Sequence, residues 1–189
     1  CSSDLKSRIA SFTSISGPSL DHASYWMRDR AFNVSLAAKA KLMKQMLSSW
    51  YIVFFQLPVL PALSWQAGVG KQWPAFLRTK EGVSDPEPNP TQTEDGKNGV
   101  QLYRANFRHK LMHPEPRYAV CPVQLLVPVK DNYVGVQLFD DLPRWVPKLY
   151  RRDINAGHWV VLSQPDVIAA YVGEFVDGVE AGHMPEALQ

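Results

Sequence analysis

The chain has 189 residues, of which 46% are hydrophobic and 20% charged, a composition typical of a globular protein with a sizeable core. Its 20 basic and 18 acidic residues give a formal net charge of +2, which offers no strong electrostatic footprint for nucleic acid or for an anionic membrane surface. Disordered, fibrous and polyanion-binding proteins are therefore not expected.

The cysteines and the apolar stretches indicate in which cellular compartment the protein is expected and whether it should span a membrane. Cys1 is terminal and Cys121 opens a predicted buried strand, so we expect reduced thiols and a cytoplasmic protein. Residues 50–65 form the longest apolar stretch, but a glutamine and two prolines interrupt it, so it should not span a bilayer. Peripheral contact with a membrane is kept as an alternative.

The first predicted elements are a short strand and a long helical region. Residues 9–15 alternate apolar and small polar side chains before a Ser-Gly-Pro turn, which predicts a strand followed by a loop. From about residue 21 to residue 55, apolar side chains recur every three or four residues among lysines, which predicts one buried and one solvated helix face. The predicted buried positions are Leu36, Ala40, Met43, Leu47 and Tyr51.

Prolines and acidic residues divide the next segment. Pro58 and Pro61 should end the helical region, and an aromatic segment then precedes a proline- and acid-rich loop at residues 80–98. A second helix is predicted from about Asn98 to Met112. Its apolar stripe consists of Val100, Tyr103, Phe107 and Leu111.

The last third of the chain predicts two more strands and a terminal helix. Residues 121–129 are nearly all apolar, as in a parallel strand covered on both faces, and residues 150–154 form the next strand. A helix should begin near Pro165. The order strand, helical insert, strand, helix, strand, helix predicts an α/β fold with a lid. Three strands would leave one face and at least one long edge without partners, which predicts aggregation or association with a missing half.

An acid and a histidine follow these last two strands. Asp131, expected to be exposed, ends the apolar strand, and His158 lies in a glycine-containing turn after the next one. Since the carboxyl ends of parallel strands meet at one edge, we expect the Asp131 carboxylate to orient the imidazole of His158 as a general base. Asp140 and Asp141 are less suited rivals. The alternative for His158 is a loop histidine without a catalytic role.

Other chemistry is less well supported. His109 and His113 have the spacing of metal ligands on a helix, but no third ligand is evident, so no metal is predicted. Cys1 could be an N-terminal nucleophile only in a fold of stacked sheets, which these strands do not supply. No Gly-x-Ser-x-Gly motif or Asp- or Cys-centred equivalent precedes the acid, so a nucleophile is missing from the pattern.

Four segments carry a resemblance to a known family. Residues 127–131 and 156–159 resemble the acid and histidine motifs of the α/β-hydrolase superfamily. Residues 50–58 and 102–107 resemble the cap of its epoxide hydrolase branch, and the similarity covers essentially the whole chain. The resemblance implies the C-terminal part of an α/β-hydrolase fold. Its parts would be a core strand (1–20), a helical cap (21–116) and the C-terminal core with acid and histidine (117–189).

The resemblance also implies a reaction without metal or organic cofactor. In that family an Asp nucleophile attacks an epoxide carbon, and two cap tyrosines, matched here by Tyr51 and Tyr103, donate hydrogen bonds to the ring oxygen. His158, oriented by Asp131, would then activate water to hydrolyse the ester. Each tyrosine could instead be a core aromatic residue on its helix stripe.

Aromatic residues suggest the substrate class. Trp50, Phe55 and Trp159 are candidates for lining an apolar pocket that takes a small hydrophobic epoxide, although core packing explains such residues equally well.

The family's oxyanion loop and Asp nucleophile precede the first strand found here. The resemblance therefore implies a fragment that is inactive alone and needs the N-terminal half of the hydrolase. Details of the cap also resemble a subgroup fused to a short-chain dehydrogenase domain, which would follow residue 189. The competing functions are a haloalkane dehalogenase, in which Trp or Asn donors hold the halide, and a non-catalytic binding module.

Overall fold

A parallel sheet of three strands forms the centre of the protein. The computed structural model describes residues 8–184. The strands lie in the order β1-β2-β3, and both neighbouring pairs are parallel. Their bounds are β1 Phe12–Ile15, β2 Val123–Pro128 and β3 Leu149–Ile154. The predicted α/β class is confirmed.

Eight helices are found in the described part of the chain, six of them between β1 and β2. The six are α1 Leu20–Phe32, α2 Leu36–Ser48, α3 Trp50–Phe55, α4 Leu60–Ser64, α5 Gly70–Lys80 and α6 Gln92–Met112. We call the segment from α1 to α6 the helical insertion. The other two, α7 Val160–Ser163 and α8 Pro165–Glu180, follow β3. Pro165 stands in the first turn of α8, where its missing N–H removes no helix bond.

The region predicted to be helical from about residue 21 to residue 55 is helical, but it is divided into three helices. The Oδ1 atom of Asn33 accepts a hydrogen bond from the backbone N–H of Ser35 (2.8 Å), and this local turn competes with helix propagation. The predicted buried stripe is wrong. Leu36, Met43 and Leu47 are exposed, and the buried residue of α2 is Gln45 on the opposite side.

The boundaries around the predicted loop also differ. Residues 65–80 are helical, with a π-type turn at Trp65–Val69 leading into α5. Gly68 in this turn has a φ of 153°, which favours glycine. Helix α6 begins at Gln92 rather than near Asn98, so the loop is shorter than predicted. A side chain at Gly96 would collide with the Trp65 ring, and glycine thus allows that ring to lie against α6.

The connection between β2 and β3 contains no α-helix, contrary to the prediction. Two short 3₁₀ turns, Val136–Phe139 and Leu142–Arg144, make this crossover. Prolines at 143 and 147 do not favour a longer helix here.

Strand β2 is buried on both faces, as its composition predicted. Leu125 and Val127 pack with Phe139 of the first 3₁₀ turn. Leu126 packs on the other face with Val160 and Ile168. The prediction of an uncovered face is therefore wrong for β2. The outer edges of β1 and β3 have no further strand within residues 8–184.

Two other expectations concern the termini and membranes. Cys1, and the segment after Met184, lie outside the described residues, whereas Cys121 is a free thiol. Within residues 8–184 no helix has the length and apolar character needed to cross a bilayer.

Candidate active site

The carboxyl ends of β2 and β3 bring Asp131 and His158 together. The Nδ1 atom of His158 lies 2.7 Å from Oδ2 of Asp131, so the imidazole donates to the carboxylate and its Nε2 atom is left for another partner. The Asp131 side chain is only 1% exposed, which corrects the expectation of an exposed acid. The predicted contact is therefore present, with a geometry that fixes the tautomer of the imidazole.

Three further hydrogen bonds hold the Asp131 carboxylate. Its Oδ1 atom accepts the backbone N–H groups of Tyr133 (2.7 Å) and Val134 (2.9 Å). Its Oδ2 atom also accepts the Ser16 hydroxyl, just beyond β1. Burial raises the pKa of Asp131, but the hydrogen bonds from His158, Ser16 and the two amides outweigh it and lower the pKa below its ordinary value. The group is an anion at neutral pH.

The rival acids face other partners. Asp141 forms a two-fold ion pair with Arg30, and Asp140 binds Lys41 at 2.7 Å. These pairs join the crossover after β2 to helices α1 and α2.

Two phenols of the helical insertion lie beside each other. The Tyr51 and Tyr103 rings meet edge to face with their centroids 5.9 Å apart. Burial, and then the neighbouring Tyr103, raise the pKa of Tyr51 far above its ordinary value. Tyr51 is therefore a protonated hydrogen-bond donor at neutral pH.

Arg104 fixes the relative position of the helices that carry these phenols. Its guanidinium on α6 donates to the backbone carbonyls of Phe55 (2.8 Å) and Pro58 (3.1 Å), and to that of Leu57. These carbonyls belong to the end of α3 and the turn after it, where helix hydrogen bonds are lacking. Arg104 thus caps α3 from α6.

Tyr133 links the phenols to the histidine, and sequence reasoning did not select it. Its ring lies 5.5 Å from Tyr51 and 5.2 Å from His158, both edge-on. Burial raises the pKa of Tyr133, and the Glu81 and Asp131 carboxylates raise it further. In the sequence, its position two residues after Asp131 was the feature that could have indicated a place in the site.

Relatives at the sequence level match nearly the whole chain but are longer. The chain is 33% identical to proteins called probable oxidoreductase EphD from Mycobacterium tuberculosis and Mycobacterium bovis. Each match covers 96% of this chain and 32% of the relative. The chain thus spans about a third of the length of these curated relatives. No protein-family model matches it.

Solved structures show the fold. An epoxide hydrolase from Bacillus megaterium, in complex with its diol product, superposes with a TM-score of 0.67 at 16% identity, over 92% of this chain and 63% of that one. The epoxide hydrolase VrEH1 from Vigna radiata gives a TM-score of 0.55 at 15% identity, over 92% and 62%. The chain has part of an α/β-hydrolase fold. It spans less than two thirds of either structure.

Two apolar cavities of this α/β-hydrolase fold meet at the histidine. One, of about 380 Å³, is lined by Tyr51, Tyr103 and His158 together with aliphatic residues of α1 and α2. The other, of about 420 Å³, shares those three side chains and is otherwise mostly aromatic. The phenols and the imidazole therefore line common, mostly apolar space.

The three residues predicted to line a pocket lie at the aromatic cavity. Trp50, Phe55 and Trp159 all line it, and Trp50 remains largely exposed at its edge. The Trp159 ring packs edge-on against Trp73 and Phe76 of α5. Whether these side chains contact a substrate stays a prediction.

Glu81 is a second residue that sequence reasoning missed. It follows α5, is 6% exposed, and its carboxylate lies 3.5 Å from the backbone nitrogen of Trp159. Burial raises the pKa of Glu81 above its ordinary value. A side chain at Gly157 would overlap the Oε2 atom of this carboxylate, so glycine leaves room for the Glu81 side chain in its present position.

The histidine pair weighed as metal ligands has no further ligand nearby. The rings of His109 and His113 lie 5.4 Å apart at the end of α6. Within residues 8–184, no group of three or more His, Cys, Asp or Glu side chains is arranged to hold a metal ion.

Proposed function

We propose that this chain supplies the imidazole–carboxylate pair and the two phenols of an epoxide hydrolase. In this proposal the helical insertion is the cap of the hydrolase. The nucleophilic carboxylate comes from the N-terminal part of the hydrolase fold, which this chain does not contain. The observation that carries the proposal is that Tyr51, Tyr103 and the Asp131-bound His158 line the same apolar cavity.

The first step is opening of the epoxide by the nucleophile. A carboxylate oxygen attacks one ring carbon, the carbon–oxygen bond of the ring breaks, and the resulting alkoxide takes a proton from a phenol. Tyr51 is suited to this role because it is a protonated phenol at neutral pH and lines the cavity together with His158. The Tyr103 ring lies beside it, with the two ring centroids 5.9 Å apart, and its hydroxyl would share the oxygen.

The second step is hydrolysis of the ester. His158 takes a proton from water through Nε2, the hydroxide attacks the ester carbonyl, and the diol leaves as the nucleophilic carboxylate is regenerated. The ionised Asp131 stabilises the imidazolium that forms. The imidazolium gives its proton to the departing diol oxygen, and the carboxylic acid that forms at the nucleophile gives its proton to the tyrosinate, so that all groups are restored before the next turnover.

The tyrosines are tested in the natural full-length protein, with turnover of an aryl glycidyl ether to its diol as the measurement. We expect Tyr51→Phe and Tyr103→Phe each to lower the rate of ester formation about 100-fold, since each removes one donor to the developing alkoxide. Tyr118→Phe, an exposed tyrosine outside both cavities, is the matched control. A double Tyr51/Tyr103 variant with undiminished turnover would contradict the proposal.

His158→Ala should separate the two steps. We expect the ester to form but not to hydrolyse, so that intact-mass measurement shows protein heavier by the mass of the substrate. Absence of this species, with the epoxide still consumed, would assign the base to another group. Release of halide from an alkyl chloride, without diol formation from epoxides, would instead favour a haloalkane dehalogenase.

A fused redox domain is proposed on separate grounds. The relatives called EphD are described as probable oxidoreductases, and the match covers only a third of their length. We infer that the natural protein carries a dehydrogenase domain beside the hydrolase. Translation of the complete reading frame around this chain tests this, and a frame without a dinucleotide-binding glycine motif would refute it.

A further inference from the structure

The net charge of +2 conceals an uneven distribution along the chain. Residues 31–80 contain no aspartate or glutamate, whereas six lysines and arginines fall in the same segment. This segment therefore carries a formal charge of +6 and the remainder of the chain −4. The six cations, all exposed, are Lys39, Lys41, Lys44, Lys71, Arg78 and Lys80, and Lys41 is paired with Asp140 of the crossover after β2.

The same segment carries most of the exposed large apolar side chains. Of the 21 such residues within the described chain, 13 lie between Phe32 and Val69. Single exposed apolar residues are ordinary, but a concentration of this kind marks an interaction surface. Cationic and apolar exposure thus coincide in one part of the helical insertion.

Helix α2 orders these groups into a stripe with flanking lysines. At 100° per residue, Leu36, Met43 and Leu47 fall on one side, opposite the buried Gln45. Leu36 is 84% exposed and Leu47 69%. Lys39 and Lys44 lie on either side of this apolar stripe, which is the arrangement of a helix lying in a bilayer interface.

The apolar stripe continues toward the cavities. Only Ser49 separates α2 from α3, on which Trp50 is 65% exposed and Val53 is exposed as well. Met46 and Val53 also line the aliphatic cavity, and Trp50 lines the aromatic one. The surface and the two cavities therefore share side chains.

We propose that the exposed face of α2 and α3 docks on the surface of an anionic lipid bilayer. Charge complementarity selects this occupant, because lysines flank the apolar stripe and no acidic side chain lies anywhere in residues 31–80. A second copy of the same face would bring the lysines that flank the two stripes close to each other, which is unfavourable. Trp50 at the edge fits the preference of tryptophan for the interface. Docking would let an apolar compound pass from lipid into the cavities.

Flotation of the natural full-length protein with lipid vesicles tests the proposal. We expect binding to vesicles containing about one third phosphatidylglycerol, little binding to pure phosphatidylcholine, and loss of binding at high salt. The triple variant Leu36→Gln, Met43→Gln, Leu47→Gln should weaken binding about tenfold or more. Val161→Gln with Leu162→Gln, exposed residues on α7, is the matched apolar control and should bind normally.

Lysine variants test the electrostatic part. Lys39→Gln and Lys44→Gln should each weaken partitioning about fivefold, while Lys148→Gln, an exposed lysine outside the segment, should not. Thermal unfolding of all variants checks that they are folded. Vesicle binding is measured without any epoxide, so its outcome is independent of the proposed hydrolysis.

Three results would overturn the proposal. One is equal binding of the wild type and the triple variant. Another is failure of the wild type to float with anionic vesicles. The third is a triple variant that changes oligomeric state or loses much stability, because the stripe would then be covered by a second copy or by another part of the protein.

Discussion

Four hydrogen bonds from four different residues meet at the Asp131 carboxylate. They come from the histidine turn after β3, from Ser16 after β1, and from two backbone amides that follow β2. The carboxylate therefore serves the imidazole and also ties together the ends of all three strands. Ser16 has a φ of 50°, an uncommon conformation for a residue other than glycine, and its hydrogen bond helps to hold it there.

Asp131→Asn should lower the free energy of unfolding by about 2 kcal/mol at pH 7, since hydrogen bonds to a buried anion are lost or weakened. The folded pKa of Asp131 lies below the ordinary value of about 3.9. Its contribution is thus fully present above that value and disappears as the pH falls through the folded pKa. Urea unfolding of the wild type and of Asp131→Asn, at pH 7 and near pH 2.5, measures this difference in unfolding free energy.

The corresponding control is Asp85→Asn, an exposed carboxylate in the loop before α6. We expect no comparable loss of stability from it at either pH. An Asp131→Asn difference that persists unchanged in acid would contradict the linkage of stability to this ionisation.

The sequence predicted the contact between Asp131 and His158, because both residues directly follow apolar strands. It did not indicate Ser16 or Glu81, whose hydrogen-bond partners lie 115 and 78 residues away along the chain. Long-range pairs of that kind leave no periodic pattern. The rival acids looked similar in sequence, and only their pairing with Arg30 and Lys41 distinguishes them.

Among the elements, α3 is short and depends on α6. It spans six residues, too few for a helix to be stable by itself, and Arg104 satisfies its terminal carbonyls. The apolar stripe of α6 was predicted from its spacing. The buried face of α2 was not predicted correctly. The four hydrogen bonds of Gln45 outweigh the apolar periodicity from which the opposite face was predicted to be buried.

Arg104→Met should loosen the contact between Tyr51 and Tyr103 while preserving most of the apolar stem packing. We expect the unfolding free energy to fall by about 1–2 kcal/mol. Epoxide turnover should fall by more than this loss of stability alone would explain. Arg108→Met, an exposed arginine one turn later on the same helix, is the matched control. Equal turnover in the two variants would separate Arg104 from the phenols.

For the whole molecule, Gln45 joins the helical insertion to the segment that follows the acid. Its Oε1 atom accepts from the Gly135 backbone (3.1 Å) and from Gln137 (3.1 Å), and its Nε2 atom donates to the Tyr133 carbonyl (2.9 Å) and to Ser49 (3.0 Å). The α/β class and the parallel order were predictable from strand composition. The hydrogen bonds of Gln45 were not predictable, since a lone glutamine on a helix has no distinctive sequence pattern.

Gln45→Leu should therefore destabilise the protein by about 2–4 kcal/mol, because several buried polar groups lose their partner together. Gln101→Leu, an exposed glutamine on α6, should change little. Chemical denaturation followed by tryptophan fluorescence measures both. Similar stability of the two variants would mean that water replaces the lost bonds.

Glu81 contacts the histidine turn from the insertion, and Gly157 leaves it just enough space. Any molecule that displaces the insertion outward must therefore pull this carboxylate away from the Trp159 amide. Deuterium uptake by the peptide spanning residues 156–160 should then rise on binding of bulky compounds and stay low with slender ones. Binding of a compound in the cavities could thus be detected as a local change in amide protection, without any turnover.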